Sequence, residues 1–230
     1  MGGAGNEPAH RRSKPKERGS KGDNCLTRFN CQFHGAKGSV YEGGIRVPML
    51  LRWPAGLDGG RQVDAMVHFA DWFSTLLAVA GITPPAGLKL DGVNVLPVLR
   101  GEAGKVMTKR FWQWNRYTPL ATCNAAVRDG EWKLVRLAIR EAMQVPDIQW
   151  LKVSMYEPEH FIINGIRHEP DPPREVPPPP PPELYCLAED PLEQHNLAAK
   201  YPDQVRRLLR ELETWFEEVE AERATINDEW

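Results

Sequence analysis

One lysine, Lys37, stands among small, loop-forming residues directly ahead of an apolar stretch of the chain. Its ammonium group is a compact positive charge that suits an oxygen of a tetrahedral sulfate or phosphate group. The next residue, Gly38, has no side chain, so the backbone can approach the same anion closely. Residue types and spacing therefore indicate an oxyanion-binding loop, although a glycine-rich turn with a solvated lysine shows the same pattern.

Two neighbouring segments would have to position this loop. The pair Gly43-Gly44 predicts a sharp turn, and residues 45 to 53 have the apolar character of a β-strand. Pro48 is compatible with that strand only near its start or on a sheet edge. We therefore expect Lys37 to lie on a loop that a turn joins to a strand.

Residues 37 to 48 resemble the K-G-S/T-x-x-E-G-G-x-R-x-P segment of the sulfatase family, and further segments resemble sulfatase motifs in the same order. These segments are residues 51–56, 71–77 with 80–82, 90–93, 127–134 and 183–191 with 193–197. The last is similar to the family's E-L-Y-D-L-x-x-D-P-x-E-x-x-N-L motif, with Cys186 at the position of the first aspartate. The resemblance covers most of residues 29 to 220 and identifies the chain as the C-terminal portion of an arylsulfatase-like protein.

The resemblance implies a reaction and a role for Lys37. Sulfatases hydrolyse sulfate esters, in which a formylglycine hydrate attacks sulfur and the alcohol leaves, and charge on the sulfate oxygens must be stabilised. Lys37 matches the family's motif for this task, so the resemblance implies that it is both a catalytic and a substrate-binding residue. The other motif residues are expected to shape the loop; they are Glu42, Gly43, Gly44 and Arg46.

The family's nucleophile is absent from this sequence. It comes from a C-x-P-S-R or S-x-P-S-R motif, and no cysteine of the chain has proline two positions further on. Ser13 does have such a proline, but the arginine of the motif is missing. We therefore predict a sulfatase fragment that is inactive alone.

The resemblance also implies a calcium ion in the full-length family. A hard cation needs several oxygen ligands held together. Ahead of Lys37, only Asp23-Asn24 has suitable residue types, and a solvated turn is the simpler interpretation of that pair. We therefore assign no metal ligand in this chain, because the ligands of the family are largely absent from it.

Two alternative functions fit the same residues. The first is a phosphonate or phosphate ester hydrolase of the same superfamily. The second is a non-catalytic binding module that complements a separate catalytic chain.

Composition limits the other classes of partner. The 230 residues carry a formal net charge of −2, so nucleic acid is not expected as a ligand. The sequence contains neither an apolar run of about 18 residues nor an apolar leader, so we expect no membrane anchor and no signal peptide. Relatives are often periplasmic or secreted, and the sequence leaves localisation, substrate identity and oligomeric state open. The four cysteines form no C-x-x-C pair, which argues against zinc.

The predicted fold class is α/β, of the alkaline-phosphatase-like sulfatase type and incomplete. We expect a disordered basic tail at 1–28, the C-terminal part of the α/β domain at 29–105, and the C-terminal subdomain at 106–222 with a tail at 223–230. The subdomain would contain a proline-rich insertion at 140–182 and a small antiparallel sheet, with a hairpin at Asp129-Gly130 and a strand at 184–185. Helical spacing predicts a core-facing helix within residues 63–82 and an amphipathic helix that begins at Pro202.

Overall fold

The structure is a computed structural model, and part of the chain lies outside its description. It describes residues 30–105, 109–115, 118–143, 156–157, 159, 162–163, 166–167 and 175–225. The tail predicted at 1–28 and much of the proline-rich insertion predicted at 140–182 fall outside these ranges.

In the described ranges, three helices are followed by three strands, then by one short helix and three more strands, and a long helix comes last. The helices are α1 Glu42–Ile45, α2 Asp71–Ala80, α3 Leu96–Arg100, α4 Arg140–Met143 and α5 Pro202–Arg223. The strands are β1 Lys109–Gln113, β2 Ala125–Asp129, β3 Trp132–Arg136, β4 Ile162–Ile163, β5 Ile166–Arg167 and β6 Glu183–Cys186.

An antiparallel sheet with the strand order β1-β2-β3-β6 forms the centre of the described structure. Strands β2 and β3 are joined at Gly130, whose φ of 61° lies in the left-handed region that favours glycine. This joint is the hairpin that the Asp129-Gly130 pair predicts. The predicted strand at residues 184 and 185 is present as β6. Strands β4 and β5 form a separate two-stranded sheet.

Helix α5 covers one face of the central sheet. Its Leu208 and Leu212 are fully buried against Val127, Leu134 and Leu184, which come from three adjacent strands. Burial of one such leucine stabilises the fold by about 1.5–3 kcal/mol. The prediction of an amphipathic helix that covers the small sheet is therefore confirmed. Among the described helices, none has the length and apolar character that a membrane crossing requires.

The opposite face of the same sheet holds the loop that carries Lys37. Val40 and Tyr41 pack there against Ala126, Val135 and Tyr185. These sheet residues alternate along their strands with the residues that face α5, as expected when both faces of a sheet are covered. The sheet therefore separates the long helix from the lysine loop and supports both.

The predictions for residues 43 to 53 were wrong. Gly43 and Gly44 lie inside the short helix α1 and not in a sharp turn. Residues 46 to 53 have no regular secondary structure. A strand is stabilised by a neighbouring strand, and no strand among the described residues pairs with this segment.

Helix α2 also differs from its prediction, because its apolar residues do not face the core. Phe73 and Leu76 are 54% and 60% exposed, whereas the fully buried residues of the helix are Asp71 and Thr75. The polar pair is buried because hydrogen bonds fix it to the chain that follows. Thr75 Oγ1 accepts from the backbone N–H of Val95 at 3.0 Å. The predicted C-terminal glycine cap is present at Gly81, with φ of 67°.

Candidate oxyanion-binding site

Lys37 lies on a turn with its side chain exposed to solvent. It forms no hydrogen bond and no ion pair with any residue in the described ranges. No residue of the described ranges therefore competes with an external anion for the ammonium group. An internal ion pair would be such a competitor.

Buried contacts fix the turn that carries Lys37. The carbonyl oxygen of Gly38 accepts a hydrogen bond of 2.9 Å from Asn124 Nδ2, which also donates to the carbonyl oxygen of Trp114 at 2.7 Å. Asn124 is 1% exposed and directly precedes β2. Gly38 has φ of 90°, which is a strained conformation for any residue with a side chain. The position of the turn is thus set by the sheet.

The helix α1 lies very close to the same turn. A Cβ atom on Gly44 would stand 2.1 Å from the carbonyl oxygen of Ser39, well inside the contact distance of the two atoms. The neighbouring Gly43 donates its N–H to the carbonyl oxygen of His34 at 2.7 Å. The two glycines are needed because the backbone of α1 approaches the loop this closely. They do not form the sharp turn that was predicted.

A buried ion cluster joins α1 to the sheet. Lys133 Nζ lies 2.8 Å from Glu42 Oε1 and 2.8 Å from Glu193 Oε1. The side chains of Lys133 and Glu193 are 0% exposed, and that of Glu42 is 5% exposed. The backbone N–H of Glu42 also donates to Glu193 Oε2 at 2.7 Å. Three residues that are distant in sequence therefore meet beneath the lysine loop.

The charges of this cluster are close to balance. Arg46 Nη1 stands 3.9 Å from Glu42 Oε2, so two cations face two carboxyl groups. Burial raises the pKa of the Glu193 carboxyl above its ordinary value, while the Lys133 charge opposes that rise. Buried ions that are paired in this way hold a loop in one arrangement, because loss of one partner leaves a charge without compensation.

A second set of contacts ties the start of the loop to the segment after β6. His34 Nδ1 carries the proton and donates to the carbonyl oxygen of Glu193 at 3.0 Å, while its ring stacks on Tyr41 at 3.9 Å between centroids. The hydroxyl groups of Tyr41 and Tyr185 both donate to Glu183 Oε2 at 2.6 Å. Burial and the hydrogen bond to Glu183 raise the pKa of Tyr185, which keeps this hydroxyl protonated as a donor.

A separate buried ion pair fixes helix α2. Arg110 Nη2 donates to Asp71 Oδ1 at 2.6 Å, and both side chains are almost fully buried. The same carboxylate accepts from the backbone N–H of His68 at 2.7 Å and of Val93 at 3.0 Å. The two sequence segments 71–77 and 90–93 are therefore joined through Asp71. This pair supports the fold.

No metal site accompanies Lys37 within the described ranges. They contain no group of three His, Cys, Asp or Glu side chains placed to hold a metal ion, so they do not fit the calcium that the resemblance implies. Asp23 and Asn24 lie outside those ranges. A cavity of about 540 Å³ is lined by residues 61–65, 98 and 101–104, and Lys37 is not among its lining residues.

The positioning residues Lys133, Glu193 and Asn124 were missed by the sequence reasoning. A signal for the first two was present, because Glu42, Lys133 and Glu193 each stand inside a different one of the matched motifs. A charged residue between two apolar residues of a strand, such as Lys133 between Trp132 and Leu134, indicates a buried partner. The sequence signal for Asn124 was weaker: it is an asparagine directly before a strand. Asparagine adopts positive φ more readily than most residues, and Asn124 has φ of 48° in the structure.

Comparisons with known proteins agree on one group of relatives. The model of the family described as "N-sulphoglucosamine sulphohydrolase, C-terminal" matches residues 33–150. The chain is 26% identical over 200 residues to the ulvan-active sulfatase of Formosa agariphila. This match covers 84% of this chain and 37% of the relative. The chain is also 34% identical over 109 residues to human N-acetylgalactosamine-6-sulfatase. That match covers 47% of this chain and 19% of the relative.

One solved structure has a similar fold. It comes from Bacteroides thetaiotaomicron and is described under the metabolism of multiple glycosaminoglycans. The TM-score is 0.55 at 24% identity, with coverage of 80% of this chain and 32% of that chain. In all three comparisons with individual proteins, this chain spans well under half the length of its relative.

Proposed function

Because the chain belongs to the sulfatase family as its C-terminal portion, we propose that it supplies the anion-binding lysine of a sulfate-ester hydrolase. The predicted α/β fold class, alkaline-phosphatase-like and incomplete, is confirmed by the small sheet, by helix α5 and by the similar solved structure. The proposed role rests on one observation: Lys37 is exposed and unpaired within the described ranges, on a turn that buried residues hold in place.

In this proposal, Lys37 acts on the sulfuryl oxygens. During hydrolysis a nucleophile adds to sulfur while the bond between sulfur and the alcohol oxygen breaks, and charge is redistributed over the oxygens. A cation beside a non-bridging oxygen binds the ester and stabilises that charge, provided that it is already in place before the reaction. Asn124 and the cluster around Lys133 meet this condition, since they fix the turn without help from a ligand.

The charge of the loop favours a sulfate ester over a phosphate ester. A sulfate monoester carries one negative charge, and Lys37 offers one positive charge that no residue in the described part of the chain pairs. Arg46, the other cation of the motif, stands close to Glu42 and is partly compensated by it. A dianionic phosphate ester would be matched less well by this arrangement.

We also propose that the chain alone does not hydrolyse sulfate esters. Its sequence contains no C-x-P-S-R or S-x-P-S-R motif, and its described residues hold no metal-binding group. The attacking group is therefore supplied by polypeptide outside this sequence. Lys37 contributes binding and charge stabilisation to that reaction and does not attack.

A chimaera tests this proposal. The 200 residues of the Formosa agariphila sulfatase that match this chain are replaced by their counterparts from it, and sulfate release from nitrophenyl sulfate is measured. We expect Lys37→Ala to lower kcat by about 10²–10³, as loss of an oxyanion donor does in other enzymes. The control Lys89→Ala, at an exposed lysine, should leave kcat unchanged. Equal kcat in the two variants would contradict the role of Lys37, and preferential release of phosphate from nitrophenyl phosphate would favour the alternative hydrolase.

A further inference from the structure

A large aromatic side chain is exposed beside the turn that carries Lys37. A Cβ atom on Gly38, the residue after Lys37, would stand between 3.4 and 3.8 Å from three atoms of the Trp114 ring. These are ordinary van der Waals distances, so the indole ring lies directly against the turn. Trp114 is nevertheless 44% exposed, and none of the three hydrophobic clusters found among the described residues contains it. Core packing therefore does not account for this side chain.

The pleat of β1 explains why Trp114 reaches the turn. Side chains two residues apart along a strand lie on the same face, and Trp114 follows the end of β1, two residues after Trp112. Trp112 packs against the cluster of Val40 and Tyr41, on the sheet face that holds the lysine loop. The backbone N–H of Trp114 donates to the carbonyl oxygen of Asn124 at 3.2 Å, so the strand pairing extends to this residue. Trp114 therefore lies on the same sheet face as the lysine loop.

One buried amide holds the lysine turn and Trp114 together. Asn124 Nδ2 donates to the carbonyl oxygens of Gly38 and of Trp114, at 2.9 and 2.7 Å. Both backbone segments are therefore in place before any ligand arrives, which keeps the entropic cost of binding low. The separation of the indole ring from the turn is thus set by the sheet.

An exposed indole ring beside an unpaired cation suits a ligand with two parts. Aromatic rings stack on an indole ring, and the apolar face of a sugar ring packs on it to leave water. Small-molecule sites combine aromatic surface of this kind with a few polar groups that fix the orientation of the ligand. In a sulfate ester of a ring alcohol, only a few bonds separate the sulfuryl group from the ring. An ester whose sulfuryl group meets Lys37 therefore brings its ring close to Trp114.

We propose that Trp114 is a platform on which the ring of the alcohol packs while the sulfuryl group binds Lys37, so that the substrate is the sulfate ester of a ring alcohol. Aryl alcohols and sugars share the required chemistry, because both present a flat face with apolar character. Trp114 selects among esters by their alcohol and takes no part in bond cleavage. This inference rests on the proposed function of Lys37 and adds a substrate class to it.

Binding to the full 230-residue chain tests the platform. The probes are three sulfate monoesters: nitrophenyl sulfate, galactose 6-sulfate, and methyl sulfate, which has the same charge and no ring. NMR at constant ionic strength follows the indole Nε1–H resonance of Trp114 and the ammonium resonance of Lys37. We expect all three esters to shift the Lys37 resonance. At least one of the two ring esters should shift the Trp114 resonance over the same concentration range, and methyl sulfate should shift it far less.

Variants of Trp114 separate a platform from a support of the turn. Trp114→Ala should raise the Kd of the ring ester by about fivefold to tenfold, because the stacking surface is lost, and should leave the Kd of methyl sulfate unchanged. Trp114→Phe should recover part of the loss, since a ring face remains. Val219→Ala, at an exposed apolar residue of α5, should change neither Kd. A larger loss for nitrophenyl sulfate assigns an aryl ester, and a larger loss for galactose 6-sulfate assigns a sugar ester.

Two outcomes would overturn the platform while Lys37 keeps its proposed role. In the first, Trp114→Ala raises the Kd of all three esters equally and speeds amide exchange at residues 37–39, so the ring only supports the turn. In the second, Trp114→Ala binds every ester as well as the original chain does. If Trp114→Ala does not fold, the original chain decides: equal shifts of the Trp114 resonance with methyl sulfate and with the ring esters would contradict the platform.

Failure of the proposed function gives a different result. Lys37→Ala would then leave the Kd of methyl sulfate unchanged, because that ester has no ring and depends on the cation alone. If no ester shifts the resonance of either Lys37 or Trp114, both proposals are wrong.

Discussion

Lys133 Nζ on strand β3 lies 2.8 Å from Glu42 Oε1 on the motif that carries Lys37. This contact connects a fully buried strand residue to the loop that faces solvent. Glu193 completes the cluster from the segment after β6, at 2.8 Å from the same ammonium group. The position of the exposed Lys37 therefore depends on charges inside the protein, and several measurable consequences follow from that dependence.

Replacement of the central cation should destabilise the whole domain. We expect Lys133→Met to lower the free energy of unfolding by about 3–5 kcal/mol, because Glu193 would remain buried without a positive partner and Glu42 would keep only the partly exposed Arg46. Urea denaturation measures the change, and Lys89→Met, at an exposed lysine, should stay within about 0.5 kcal/mol of the original chain. A triple variant with Glu42→Gln and Glu193→Gln added should recover part of the loss. Equal stabilities for Lys133→Met and Lys89→Met would contradict the cluster.

The close approach of α1 to the loop makes a second prediction. Gly44→Ala places a Cβ atom 2.1 Å from the carbonyl oxygen of Ser39, so it should lower the free energy of unfolding by about 1–3 kcal/mol. Gly59→Ala is the matched control, because nothing lies within 4 Å of the Cβ position there. That control should be neutral or slightly stabilising, by up to about 1 kcal/mol. Thermal and urea denaturation compare the two, and a neutral Gly44→Ala would show that the approach is not close.

Asn124 should hold the turn locally. Asn124→Gly keeps the freedom to adopt positive φ but removes the hydrogen bond from Asn124 Nδ2 to the carbonyl oxygen of Gly38. We expect amide hydrogen exchange at residues 37–39 to become faster and the free energy of unfolding to fall by about 1–3 kcal/mol. Gln194→Ala, at an exposed amide side chain, should change neither quantity. Unchanged amide exchange at residues 37–39 in Asn124→Gly would show that Asn124 does not hold the turn.

His68 should make stability depend on pH. Burial and the charge of Arg110 lower its pKa below the ordinary 6.5, and its Nδ1 accepts from the backbone N–H of Ala70 at 3.3 Å, which requires a neutral Nδ1. Below pH 6.5 the unfolded chain binds a proton that the folded chain does not, so the contribution of His68 falls as pH falls through that value. The difference in unfolding free energy between about pH 7.5 and pH 5.5 should therefore shrink in His68→Gln. The same pH dependence of the unfolding free energy in the original chain and in His68→Gln would contradict the assignment.

Features with local causes could be predicted from the sequence, and those with distant causes could not. The Asp129-Gly130 hairpin and the amphipathic α5 follow from turn chemistry and from helical spacing within one segment. Residues 45–53 were predicted as a strand because their sequence has that character, but a strand also requires a neighbour, which the described residues do not provide. The apolar residues of α2 were predicted to face the core from their helical spacing, but Phe73 and Leu76 are exposed. Helical spacing within one segment does not report what packs against the helix.

The same difference between local and distant causes applies to the residues of the candidate site. Lys37 was chosen from its own residue type and motif, and the structure leaves it exposed and unpaired within the described ranges; its catalytic role stays a prediction. The cluster of Glu42, Lys133 and Glu193 depends on strand register and on contacts across 91 residues, which no local pattern reports. Each of its members lay within a recognised motif, so the motifs located the residues but not their contacts.

Binding of a sulfuryl group by Lys37 is the central claim, and NMR of the lysine side-chain ammonium groups tests it most directly. The full chain is titrated with nitrophenyl sulfate at constant ionic strength, with chloride as the reference anion. The account predicts a saturable shift of the Lys37 resonance that chloride does not reproduce, no shift at Lys89, and loss of the saturable change in Lys37→Ala. Equal, non-saturating shifts at Lys37 and Lys89 would contradict it.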